Sequence, residues 1–199
     1  MARISRRELI LLLVGIDPGG GIGATELGGI TRLQKYIFLL EKEGSLTLSD
    51  EGFDFVPYKK GPYSSQLYDD LEFLENLGLL ESQITSVATD DEAEEMEALT
   101  FDFLMGDEGK AKASEEGLAA TEDAYEERRF RLTKKGRERV ERLLNDQAFS
   151  AVVDSVRRVK SRFVNHSLND LLYYVYTHYP EMTTESDIRG KVLRRGGRG

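Results

Sequence analysis

The chain has 199 residues, 40% of them apolar, and a formal charge of −9, enough to bury one sizeable core or two small ones. It contains no cysteine, which excludes a disulfide scaffold, thiolate metal sites and cysteine nucleophiles and points to the reducing cytoplasm. The apolar run LILLLV at 9–14 is far shorter than the ~20 residues of a membrane span, and with Glu8 before it and no A-x-A site after it, it reads as a core helix and not a signal peptide.

Ser5 and Glu8 form an S-x-x-E capping box ahead of a helix predicted over 6–14. The stretch GIDPGGGIGATELGG breaks it and reads as a flexible inter-helix loop. Thr31 and Gln34 make a second capping box, and Ile30, Leu33, Ile37 and Leu40 mark one face of a helix reaching about Glu43. Residues 53–58 (FDFVPY) alternate, so they read as a short edge strand, the only place where Pro57 is tolerated. After the turn KKGPYSS, Ser64 or Ser65 caps a third helix with Leu67, Leu71, Leu74 and Leu77 on one face. Residues 82–88 (SQITSVA) and 128–132 (RRFRL) read as two strands of a hairpin, a wing whose tip is acidic and, by its composition, expected to be mobile. Thr133 caps a fourth helix, with Val140, Leu143 and Leu144 inward. Phe149, Val152, Val153, Val156, Val159 and Phe163 form the stripe of a fifth, and Ser167 with Asp170 opens a sixth that stops at Pro180. The predicted fold class is mainly α with a small β wing. It comprises a winged-helix-like domain over 1–147, containing an acidic mobile wing insert at 89–127, a C-terminal helical extension over 148–188, and a disordered basic tail at 189–199.

No catalytic constellation accompanies these elements. The glycine run at 19–23 follows a helix and lacks the G-K-[ST] of a phosphate loop. The two histidines, His166 and His178, lie outside any H-E-x-x-H pattern, and the acidic segment lacks the order of a calcium loop. The expectation is therefore a protein that is not an enzyme, with no cofactor and no metal.

Charge is distributed unevenly. Residues 1–80 carry 8 basic and 12 acidic side chains (net −4), residues 81–127 carry 2 and 16 (net −14), and residues 128–199 carry 17 and 8 (net +9). A local basic surface attracts anions even on an acidic chain. Candidate nucleic-acid contacts are Arg128, Arg129 and Arg131 on the second wing strand, Lys134, Lys135, Arg137, Arg139 and Arg142 on the fourth helix, and Arg157, Arg158, Lys160 and Arg162 on the fifth. The alternative for these is pairing with acidic groups of the same chain. The third helix carries Asp69, Asp70, Glu72 and Glu75 and no cation, so standard recognition-helix docking into duplex DNA meets repulsion. A second candidate site is the turn, where Lys59, Lys60, Gly61, Tyr63, Ser64 and Ser65 place two ammonium groups beside a helix N-terminus, a setting for a phosphate or a partner's carboxylate.

The segments TRLQKYIFLLEKE (31–43), FVPYKKGPYSSQLYDDLEFLENLGLLE (55–81) and RFRLTKKG (129–136) resemble the Panacea domain of SocA-like antitoxins and phage-associated proteins. That family's K-L-Q-K-L-x-Y and K-Y-G-P patterns correspond here to Leu33, Gln34, Lys35 and Tyr36, then Tyr58, Lys60, Gly61 and Pro62. The resemblance implies a winged-helix-like module that neutralises a toxin or serves as an adaptor by protein contact. The function expected is thus a non-enzymatic regulatory binding protein with a protein partner, nucleic acid as a second partner through the basic half, no membrane partner, and room for homo-oligomers. The alternative is a DNA-binding transcription regulator.

Overall fold

The computed structural model describes residues 3–19, 21–23, 27–44, 46–88 and 124–195. In chain order these form α1 (Arg6–Gly15), β1 (Leu27–Gly28), α2 (Ile30–Glu43), β2 (Val56–Tyr58), β3 (Gly61–Tyr63), α3 (Ser65–Asn76), β4 (Leu80–Ala88), β5 (Ala124–Leu132), α4 (Lys134–Asn145), α5 (Ser150–Phe163), α6 (Leu168–His178) and α7 (Arg189–Arg195). The protein is mainly helical with a small antiparallel sheet, and no helix among the described residues is long and apolar enough to cross a membrane.

Helix α1 sits in the middle because it is apolar on every side, with Leu9 to Gly15 all buried. Its N-terminus carries the capping box read from sequence, with Ser5 accepting from the Glu8 backbone N–H and Glu8 accepting from that of Ser5. Its C-terminal carbonyls are satisfied by a side chain from far along the chain. Lys160 of α5, only 5% exposed, donates to the carbonyl oxygens of Leu13 (2.8 Å), Ile16 (2.6 Å) and Val14 (3.4 Å). A cation there also complements the negative end of the helix dipole. Burial lowers the Lys160 pKa to about 8, with Asp17 opposing that shift, so the ammonium with its three donors is retained at neutral pH.

Around α1 pack α2, α3, α4, α5 and β5. The sheet runs β1-β5-β4, all antiparallel, with Leu80 opposite Leu132, and both Ser82 and Leu27 opposite Phe130. Leu27, Leu80, Phe130 and Leu132 are buried. Arg131, on the other face by alternation, is exposed and pairs with its register partner Glu81 at 3.0 Å. Asp70 of α3 is buried and receives both Arg6 and Arg7 of α1 at 2.8 Å.

Several elements differ from the sequence reading. Helix α2 begins one residue before Thr31, behind Gly29 with a φ of 77°. Thr31 and Gln34 are therefore buried within the helix and not in a capping box, because the Gln34 amide is drawn to the backbone of Ser64. The described part of the glycine stretch is tied down by Asp17 N–H to Gly21 O and Gly23 N–H to Gly15 O, both 2.9 Å, and Leu27–Gly28 adds a strand to the sheet. A two-residue strand has no periodicity to read. Residues 124–127, placed in the wing tip by sequence, belong to β5, while the remainder of that insert, 89–123, lies outside the described residues. The tail expected to be disordered from 189 is helical to Arg195, since Ile188 and Val192 fall four apart and bury against α6. Residues from Ile4 to Val192 belong to one core cluster, so the helices beyond 148 complete the core of the preceding residues.

Replacing Lys160 by Ala strands three carbonyls at the end of a buried helix and opens space under α5. The expected loss is about 3 kcal/mol of stability, measured by urea unfolding, with Arg158→Ala on the exposed side of the same helix close to neutral.

Candidate functional site

The turn that sequence singled out is a two-stranded hairpin, in which Val56, Pro57 and Tyr58 face Tyr63, Pro62 and Gly61 respectively. Gly61 is required at its corner. Its φ is +86°, and a Cβ there would meet the Tyr176 ring at 2.9 Å. Helix α2 holds the hairpin from inside. The Gln34 amide donates to Ser64 O and accepts from Ser64 N–H, both 3.0 Å, and the Lys35 ammonium donates to Pro62 O at 3.0 Å. Gln34 and Lys35 of α2 are thus the groups that clasp the Gly61–Pro62 corner.

Lys35 is 3% exposed, and its burial lowers its pKa to about 7. Among the described residues no carboxylate is paired with it.

The α3 N-terminus is spoken for within the chain. Ser64 is buried, and its hydroxyl accepts from the Leu67 N–H as the helix cap. Gly61 and Ser64 therefore shape the turn, while Ser65 is exposed and Lys59, Lys60 and Tyr63 are partly so. The Ser64 hydroxyl thus takes one of the N–H groups at the helix start, and Lys60, its pKa lowered first by burial, feels the charges of Asp187, Lys191 and Lys59. Tyr63 packs its ring between Tyr58 (4.9 Å) and Tyr68 (5.8 Å). Beyond the turn, Val56 and Tyr58 are 50% and 38% exposed. Sequence alternation marked them as strand residues, but only the tertiary arrangement decides which face is covered.

The proposed basic footprint is largely engaged inside the chain. Arg128 pairs with Glu75 at 2.6 Å, Arg139 with Glu8, Arg131 with Glu81, Arg157 with Asp154, and Arg162 with Glu43 at 3.3 Å while its guanidinium lies over the Tyr174 ring. Lys135 and Arg137 donate to the carbonyls of Leu77 and Leu132, and Arg158 to Ser155 Oγ. Lys160 is buried under α1 and cannot reach a ligand, a correction to its assignment as a surface contact. Arg129 is half-buried in the middle strand, and Lys134, Arg142 and Arg158 are exposed. Two of the four carboxylates of α3 are neutralised, Asp70 by Arg6 and Arg7 and Glu75 by Arg128, which leaves Asp69 and Glu72 exposed.

Among the described residues no His, Asp and Glu side chains gather into a metal-binding set. His178 stacks on Tyr174 at 3.9 Å, and Tyr174 and Tyr179 both donate to Glu43, which ties α6 to the end of α2. No protein-family model matches the chain, and no curated protein matches it.

Because folding lowers the Lys35 pKa, the unfolded chain binds more protons between about pH 7 and its unfolded value, and stability rises with pH across that window. Lys35→Met removes this contribution, so the slope of unfolding free energy between pH 7 and 9 is expected to fall by up to ~1.4 kcal/mol per pH unit, measured by urea melts at stepped pH.

Proposed function

We propose that the chain is a non-enzymatic regulatory binding protein of winged-helix type, antitoxin-like or adaptor, that acts by protein contact. The observation that carries this reading is the hairpin at 56–63. Its corner is clasped by two buried polar side chains, Gln34 and Lys35, while Val56 and Tyr58 face solvent. A rigid backbone presenting exposed apolar groups loses little entropy on docking, which favours association. The resemblance to the Panacea domain supports the same reading, since its motif residues are the ones that clasp the hairpin. The order of a helix, a short strand, a helix, a small hairpin, a third helix and a long antiparallel strand pair supports the winged-helix part.

The test is capture from native lysate with the full chain as bait, with and without nuclease. The expected partner survives digestion and is lost with Val56→Ser plus Tyr58→Ser. A partner released by nuclease overturns the reading.

A second reading, a DNA-binding transcription regulator, gains from one observation. The neutralisation of Asp70 and Glu75 removes half of the formal charge that opposes α3 approaching phosphate. Of the candidate contacts, Lys134, Arg142 and Arg158 are exposed, Arg158 with one hydrogen bond to Ser155 Oγ. On this reading duplex binding weakens with salt at a slope of about −0.9 per phosphate contact, and reversing those three residues to Glu abolishes it in a gel-shift titration. A flat salt response removes it.

A further inference from the structure

The strand order β1-β5-β4 gives β5 a neighbour on each side and β4 only one. Among the described residues no strand pairs with the outer edge of β4, along which every second residue turns its N–H and C=O away from β5. Exposed edges of this kind are ordinarily blunted by lysine, proline, a bulge or a short strand. β4 has none of these. It runs for nine residues, LESQITSVA, with no proline and an unbroken one-to-one register from Leu80 opposite Leu132 to Ala88 opposite Ala124. Its single charged residue, Glu81, is already paired with Arg131 at 3.0 Å. At its middle Ile84 is 53% exposed, more than any other large apolar side chain among the described residues.

We propose that this edge pairs antiparallel with the same edge of a second copy of the chain, about a two-fold axis at Ile84, giving a continuous sheet β1-β5-β4-β4-β5-β1. In such an isologous contact each residue meets one from the same strand. With Ile84 on the axis, Ile84 meets its own mate, Gln83 meets Thr85, and Ser82 meets Ser86, an apolar pair flanked by polar ones. A two-fold at Gln83 or Thr85 would instead set Ile84 against a serine. Charge permits the pairing as well. Glu81 falls opposite Val87, which puts the two copies of Glu81 about 20 Å apart along the strands, well beyond a Debye length. The acidic stretches that follow Ala88 leave from opposite ends of the pair, with about 27 Å between the two copies of Ala88. A strand from another protein would be selected by charges along the edge, and from Ser82 to Ala88 there are none. The inference is independent of the hairpin at 56–63.

The experiment is sedimentation velocity on the full chain over a concentration series. A single strand pair is small beside a standard interface, so a monomer–dimer equilibrium at about 10–100 µM is expected. Each copy carries a net charge of −9, so added salt should tighten the dimer. Hydrogen exchange at the amides of residues 82–88 should slow as the dimer forms. Ile84→Lys and Ile84→Glu, both at an exposed position, should each leave a monomer with its thermal transition kept. An equimolar mixture of the two should dimerise again, a gain that neither a misfolded variant nor a contact away from Ile84 gives. A full chain that stays monomeric overturns the proposal and leaves the edge to residues 89–123 or to a foreign strand. A dimer that Ile84→Lys leaves intact also overturns it, as do a mixture that stays monomeric, unchanged exchange at 82–88, and growth beyond the dimer.

Discussion

Helix α1 is buried on all sides from Leu9 to Gly15, so the carbonyls at its C-terminal end have to be satisfied by protein, while its partly exposed first turn is capped within the chain. Helix α1 meets that constraint at one end with Ser5 and Glu8 and at the other with Lys160, whose ammonium reaches three carbonyls across 144 to 147 residues of chain. The first helix and the fifth are thereby coupled. Ser155, five residues before Lys160, does the equivalent for α2 by donating to Gly44 O at 2.6 Å. Helix α5 therefore closes two helix ends, and the helices beyond residue 148 belong to the same core as those before it.

The polar groups buried in α2 serve a different purpose. Gln34 and Lys35 do not end their own helix; they hold the backbone of a hairpin that has only three residues per strand. Such a hairpin is not stable alone in water. Clasped from within by α2 and backed by Tyr176 and Ser186, it becomes a fixed feature that presents Val56 and Tyr58 outward. Burying the Lys35 ammonium opposes folding at neutral pH and is offset in part by its bond to Pro62 O, which positions the corner.

Charge follows the same logic of use within the chain. The excess of arginine and lysine after residue 128 looks in sequence like a footprint for phosphate, yet Glu8, Glu43, Glu75, Glu81 and Asp154 each take one of those arginines. Exposed pairs of this kind contribute little to stability, but each one consumes a cation that a ligand would otherwise meet.

Much of the helical content is determined locally. The capping boxes at Ser5 and Ser167, the single caps at Ser64 and Thr133 and the stripe from Val152 to Phe163 rest on contacts three or four residues apart, and sequence alone locates them. Strand pairing of β4 with β5 was legible from alternation, though its starting residues were not, because residues 124–127 pair through backbone groups that carry no sequence signal. The Thr31 capping box failed because a tertiary partner, Ser64, competed successfully for Gln34. Helix α7 was missed because its two apolar anchors gain stability only from α6 beneath them. At the candidate site, sequence supplied the turn and its lysines, and the tertiary structure alone decided that Lys160 goes inside, that Ser64 closes its own helix, and that Lys60 feels the charges of Asp187 and Lys191. Caps and stripes are set by near neighbours, whereas the fate of a buried or crowded charge depends on which distant groups the fold brings within a few ångströms.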